Sequence, residues 1–310
     1  MEKYKPEGLL IKSVKNREYI SSIEGLYKAL EDQAILEAPA VLCDHNLNLH
    51  VELAGCEGII PKNEVYLTKH NEDLKDIAIL TRVGKNVSFK VVGFEDMGGG
   101  RIRPVLSRKA AQKECLEYYV KSLIPGDIIP ARVTHVENFG AFVDIGCGII
   151  SLLSIDSISV SRISHPRDRV SAGDTLYTVV KSIDENGRVF VSMRELLGNW
   201  EENTSRFSEG QTVRGVVRSV ESYGIFVELA PNLAGLAEHR EGISPGQLAA
   251  VYIKSIIPEK MKIKLIIIDS DDSPLPKMPL EYFVDVGKVT HLESWTYSPK
   301  NSKKIIETVF

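Results

Sequence analysis

The chain is poor in the features that announce an enzyme, a metal centre or a membrane protein. Its four cysteines, Cys43, Cys56, Cys115 and Cys147, stand far apart with no Cys-x-x-Cys pair. That argues against a zinc ribbon or a disulfide scaffold and for free thiols in a reducing compartment. Charged residues interrupt every apolar stretch before it is long enough to cross a membrane. The opening Met1-Glu2-Lys3-Tyr4-Lys5 lacks the apolar segment of a secretory signal, so the cytoplasm is the expected compartment. There is no Gly-x-Ser-x-Gly elbow. Gly98-Gly99-Gly100 lacks the Gly-Lys-Ser/Thr ending of a phosphate loop and reads as a turn. The histidines are scattered, and His45 and His50 have no acid or cysteine at ligand spacing to complete a metal site. No catalytic residue, metal, cofactor, small-molecule substrate or membrane partner is expected.

An excess of positive charge is missing as well. The chain has 38 Lys and Arg against 42 Asp and Glu, a net charge of -4. Proteins that grip nucleic acid through phosphates are usually basic, because affinity comes from released counterions. Any nucleic-acid site here must rest on base stacking plus a few local cations. Modest affinity and a shallow salt dependence are expected.

What the sequence does have is repetition. Its 310 residues suffice for two or three domains. The stretch opening GDIIPARVTHVENFGAFVDIGCG at Gly126 closes with GDTLYTVVKSIDENGRVFVSMRE at Glu195. From Gly210 the opening recurs as GQTVRGVVRSVESYGIFVELAPNLAGL and the close as VYIKSIIPEKMKIKLIIID. A more distant copy lies upstream, in LCDHNLNLHVELAGCEGIIP and VGKNVSFKVVGFEDMGGGRIRPVLSRK. Within each copy the hydrophobic period is two, which means strands. Five short strands per copy, joined by Gly, Asn and Asp turns, give an OB-type Greek-key barrel. The expected class is mainly β, with three tandem five-stranded OB-fold barrels joined by short helices and a small C-terminal β appendage.

The spacing predicts the following order. An N-terminal helical segment fills 1–36, where Ser21-Ser22-Ile23-Glu24 opens a helix with Ile23, Leu26, Tyr27, Leu30 and Ala34 on one stripe. A degenerate barrel follows at 37–108, then a linker helix at 109–123 and the second barrel at 124–196. A linker at 197–206 contains Trp200 and leads to the third barrel at 207–269. The remaining 270–310 begin with the proline-rich SDDSPLPKMPL, then strands at Tyr282-Phe283-Val284 and Lys304–Phe310.

Candidate site residues come from strand alternation. In Gly140–Gly146 the small aliphatics Ala141, Val143 and Ile145 suit the barrel interior, which puts Phe142 outside with Asp144 and Phe139 at the entering turn. In the third copy Phe226 falls outside with Glu228, and Tyr223 at the turn. Outward aromatic pairs can stack on unpaired bases at ~1–3 kcal/mol per base. Rings packed on a neighbouring barrel or helix satisfy the same spacing, and spacing alone leaves both readings open. Asp184-Glu185-Asn186-Gly187 is a hairpin turn. Beyond it Arg188, Phe190, Ser192 and Arg194 alternate with inward Val189, Val191 and Met193, so Arg188 and Arg194 are candidate contacts to phosphate or base. Arg162, Arg167 and Arg169 lie in a long excursion that reaches along a nucleic-acid backbone or is simply a loop of solvated charges.

The run NFGAFVDIGCGIISLLSIDSI, then GD, then SIDENGRVFVSMRELL, resembles the S-one domain, the OB-type repeat of the largest small-subunit ribosomal protein. The resemblance covers roughly residues 37 to 269, strongest in the middle copy. It implies binding of single-stranded RNA through an aromatic pair, a histidine after the third strand, an acid at the last hairpin and a basic residue beyond it. Phe139, Phe142, Asp184 and Arg188 match four of these, and Ser154 stands in the histidine slot. In the third copy Tyr223 and Phe226 match the aromatics, Glu238 with neighbouring His239 takes the histidine slot, Ile257 replaces the acid, and Lys262 aligns with the base. In the first copy Asn46, Leu49 and Pro61 occupy the slots, and only Arg103 and the closing LSRK survive. The whole is similar to the short S-one-like proteins of bacteria. That resemblance implies partners in messenger RNA and the small ribosomal subunit. A scaffold that docks on a ribosomal or RNA-processing protein with little direct RNA binding is the alternative, motivated by the acidity and the missing slot residues.

Overall fold

A computed structural model describes residues 3–68, 75–273 and 280–310. The expected class holds: three closed five-stranded barrels, short helices and a two-stranded C-terminal sheet. The chain forms two compact units, one of residues 1–123, 130–132 and 144–150 and one of the remainder.

In the first unit, helix α1 (Val14–Ile20) is capped by Ser13 and α2 (Ile23–Glu31) by Ser22, whose side chain accepts from the Gly25 amide. Leu26 and Ala29 of α2 are buried. Tyr27, expected on the same stripe, is instead exposed and stacks on Phe94 with ring centroids 4.0 Å apart. Strands β1 (Leu36–Cys43), β2 (Leu49–Leu53) and β3 (Cys56–Ile60) lead through α3 (Asp76–Leu80) to β4 (Lys85–Asp96) and β5 (Ile102–Ser107). They close in the order β1-β2-β3-β5-β4, with β3 parallel to β5. Helix α4 (Arg108–Tyr118) follows, capped by Ser107.

Asp144, expected on an open polar face, is buried under the N-terminal segment. Its carboxylate accepts from the Glu7 amide at 2.7 Å and from the Gly146 and Gly148 amides. Glu37 is buried likewise and accepts from the amides of Gly8, Leu10 and Ile11. Alternation fixed the barrel face correctly, but a barrel's outer face is solvent only where no other segment covers it. Burial raises both carboxyls to about 7; for Asp144 the Glu7 charge adds to this, and for Glu37 the three amides oppose it.

The second unit carries most of the second barrel and all of the third. Strands β6 (Ile128–Glu137), β7 (Gly140–Asp144), β8 (Ile150–Ser154), β9 (Thr175–Ile183) and β10 (Val189–Ser192), with α5 (Ile155–Ile158) after β8, close as β10-β8-β7-β6-β9. After α6 (Trp200–Thr204), strands β11 (Thr212–Glu221), β12 (Gly224–Ala230), β13 (Leu233–Ala237), β14 (Leu248–Ile257) and β15 (Lys262–Asp271) close as β11-β12-β13-β15-β14. Trp200 is buried in the third barrel's apolar core together with Tyr297 of the tail. Most of the proline-rich stretch expected after Ser270 lies outside the described residues.

The tail sheet pairs β16 (Ser294–Thr296) with β17 (Glu307–Val309). Tyr282-Phe283-Val284 is not a strand. The Tyr282 hydroxyl oxygen accepts from the Tyr177 amide at 2.9 Å, and Phe283 sits under the Arg206 guanidinium. Side-chain docking has displaced strand pairing there.

Within this unit a charged cluster joins the second barrel's long excursion to the outer face of β12. Glu228, expected outside, is fully buried between Arg169 and Arg218. Arg218 also reaches Asp168 at 3.1 Å. Arg169 is therefore a buried structural cation and not a solvated loop charge. Asn232 adds neutral links, accepting from the Val160 amide and donating to the Arg194 and Gly198 carbonyls.

Candidate nucleic-acid interface

The aromatic pair of the second barrel is open. Phe139 is 55% exposed at the turn into β7, and Phe142 is half-buried, their rings edge-on with centroids 6.0 Å apart. The turn is tight because β7 presses on β8: a Cβ on Gly140 would lie 2.5 Å from the Leu153 carbonyl oxygen. The Phe139 carbonyl accepts from the Ile155 amide at 2.9 Å, which fixes α5 beside the ring.

Three residues of this face were not singled out from sequence. His135 of β6 stacks on Phe142, with centroids 6.5 Å apart and planes 21° apart. Consecutive Thr134 and His135 both avoid the core, where alternation would send one of them inward. In the equivalent strand β11 the register shifts between Val217 and Ser219, which is a bulge. A break in period two after Val133 was the available signal. Phe190 of β10 lies beside Leu152 of β8, half-buried on the outside. Lys181 sits opposite the register shift between Phe190 and Val191 and donates to the Ser157 hydroxyl at 3.0 Å.

The predicted polar residues divide. Ser154, in the histidine slot, donates to Ser157 at 2.9 Å, so the slot holds a short hydroxyl pair joined to Lys181. Asp184 is occupied by its own turn: Oδ1 accepts from the Asn186 and Arg188 amides. Arg188 is exposed and has no ion pair among the described residues. Arg194 is not a free cation. It is half-buried, paired with Glu195 at 3.1 Å and donating to Thr308 at 3.2 Å.

In the third barrel the sequence-predicted residues converge. Tyr223 is 69% exposed, edge-on to Phe226 at 6.1 Å. Both line a groove of about 430 Å³ with Lys260, Lys262 and Lys304, and none of these lysines is ion-paired among the described residues. A left-handed turn at Met261, φ 47°, sets Lys262 opposite Ile257. Glu238, whose charge weighed against this barrel in the sequence, lies outside the groove lining with Lys254 at 4.0 Å. Lys304 comes from the tail, so no repeat alignment could find it.

Stacking surfaces with unpaired cations beside them are the parts of a single-strand binding face. The S1 RNA binding domain family matches residues 122–194, the span of the second barrel. Small ribosomal subunit protein bS1 of Staphylococcus saprophyticus is 30% identical over 275 residues, covering 83% of this chain and 67% of that protein. Its counterpart in Staphylococcus haemolyticus is 30% identical over 287 residues, covering 87% and 69%. The chain belongs to the bS1 family. Against a multidomain protein with nucleic acid binding domains from Streptococcus pneumoniae, it is 17% identical with a TM-score of 0.24, covering 76% of this chain and 73% of that one. Where the resemblance implies a histidine the chain has Ser154, and an imidazole reaches Phe142 instead from His135 on a different strand.

Proposed function

We propose that this bS1-family chain is a cytoplasmic, non-enzymatic RNA-binding protein that holds single-stranded RNA on its second and third barrels during translation. Messenger RNA at the small ribosomal subunit is the RNA this reading names. The observation that carries it is the outer face of β6, β7, β8 and β10. There Phe139 is exposed and Phe142 half-buried, His135 stacks on Phe142, Lys181 of β9 bonds the Ser157 hydroxyl after β8, and Arg188 is exposed at the entry to β10. Bases stack on Phe139 and Phe142, Arg188 meets phosphate, and Lys181 with the Ser154–Ser157 hydroxyls binds a sugar or base edge. Asp184 orders the turn that presents Arg188. Arg194 serves as a tethered cation, and Tyr223, Phe226 and Lys262 form the second stacking site.

The experiment is a titration of fluorescent oligouridylate against the full chain and the Phe139→Ala/Phe142→Ala variant. Losing two stacked bases at ~1–3 kcal/mol each weakens binding at least tenfold. Equal affinity in variant and parent removes the stacking claim. Partners that stay bound after ribonuclease treatment, with no measurable RNA affinity, would favour the protein scaffold.

A further inference from the structure

Between the two stacking sites lies a second groove, of about 610 Å³, lined among others by Asp156, Ser159, Ser161, Arg162, Arg194 and Ile306. Three observations mark it as more than a gap between elements. Ser161 is 7% exposed, and its hydroxyl is buried without a hydrogen-bond partner, a polar group whose desolvation nothing in the fold offsets. Arg162 is exposed on the wall and has no ion pair among the described residues. Ile306 lines this groove and also the Tyr223–Lys262 groove, so the two adjoin at the tail.

The other end adjoins the second barrel's aromatic turn. Ile155 and Asp156 line the groove, and the Ile155 amide is bonded to the Phe139 carbonyl at the aromatic turn of the second barrel. The tail strand β17 is held on this wall by Thr308, which bonds Arg194 at 3.2 Å and Glu195 at 2.9 Å. Arg194 is compensated by buried Glu195. Arg162 is thus the lining cation without an ion pair among the described residues.

We propose that this groove is the bridge of one RNA track, and that the C-terminal hairpin is its wall. A single strand leaves Phe139 and Phe142, passes Arg162 and Ser161, and enters the third-barrel groove at Lys304 and Ile306. This rests on the RNA-binding reading above. Arg162 takes a phosphate, the Ser161 hydroxyl meets a sugar hydroxyl or base edge, and Lys304 takes the phosphate that enters the second stacking site.

The test is a length series of oligouridylates of roughly 4 to 30 nucleotides, bracketing the ~4–16 that one OB fold occupies. The proteins are the full chain and its Arg162→Glu, Lys304→Glu and Arg167→Glu variants. Arg167 is exposed in the same excursion outside the groove, so its reversal controls for net charge. In the parent, affinity rises with length beyond one barrel's footprint, with one strand bound per chain. Arg162→Glu removes that rise, weakening the longest strand about tenfold, the loss expected for a charge-assisted contact. It leaves the shortest strand within twofold. Lys304→Glu, at a residue of the third-barrel groove itself, also removes the rise, and Arg167→Glu keeps it. Equal weakening of long and short strands, no weakening by Arg162→Glu, or two long strands bound per chain overturns the bridge. If Phe139→Ala/Phe142→Ala lowers short-strand affinity while Arg162→Glu spares the long one, only the bridge fails. If the parent binds no RNA, or the phenylalanine pair is silent, the underlying reading fails with it.

Discussion

Glu228→Gln places a neutral amide where two guanidinium groups now converge on a carboxylate. Arg218 donates Nε and Nη2 to Oε2 at 2.7 and 2.6 Å, Arg169 donates to Oε1, and Glu228 and Arg169 are fully buried. Glutamine keeps one acceptor and turns an NH₂ donor toward the other guanidinium. One buried cation is then left facing a donor, with the second cation close by. Breaking a buried pair in this manner costs about 3–5 kcal/mol. At about 2–4 °C per kcal/mol for a unit of this size, the unfolding midpoint of the second unit falls by about 6–20 °C. A paired change gives the sharper test. Arg169→Met with Glu228→Leu removes both charges and the unpartnered Arg169 Nε, while Arg218 retains Asp168 at 3.1 Å. That double variant is expected to recover most of the loss, since apolar groups of similar volume replace buried ion pairs at little cost. The assay is thermal and urea unfolding followed by circular dichroism; guanidinium chloride is avoided because it screens charge. A Glu228→Gln midpoint within about 1 °C of the parent refutes the reasoning, as does a double variant no better than the single one.

Raising the pH from about 4 toward 7 should destabilise the first unit, because Glu37 and Asp144 titrate at about 7 when folded and near 4 when unfolded. The folded state binds more protons across that window, so stability is fully present below it and is lost as pH rises through 7. Melting curves at stepped pH check this; Asp144→Asn flattens part of the slope, and a midpoint rising over the window contradicts it. Gly140→Ala sets a methyl 2.5 Å from the Leu153 carbonyl oxygen, parting β7 from β8 at a cost of about 1–3 kcal/mol. An unshifted midpoint would show that the strands yield freely. With two to four phosphates contacted, the logarithm of RNA affinity against that of salt falls with a slope of about -1.5 to -3. A slope steeper than about -5 would mean that capture is electrostatic and the stacking account is wrong.

Period two, turn chemistry and self-similarity determine the three barrels without any coordinates, because every strand must send alternate side chains into its own core. The same alternation placed Phe139, Phe142, Tyr223 and Phe226 off the core, where they are found. It could not say which outer faces stay uncovered. Asp144 and Glu228 occupy outer positions on equivalent strands beside Phe142 and Phe226, yet other segments seal both. Segments distant in sequence decide that, by closing over a face when their own polar groups find partners there. Tertiary structure alone supplied the remaining parts. His135 faces outward where the period of β6 breaks, a register shift sets Lys181 against the step from Phe190 to Val191, and a docked tail carries Lys304 to a groove built mainly from the third barrel. A sequence fixes which way a side chain leaves its own strand; what it meets there depends on chain folded back from far away.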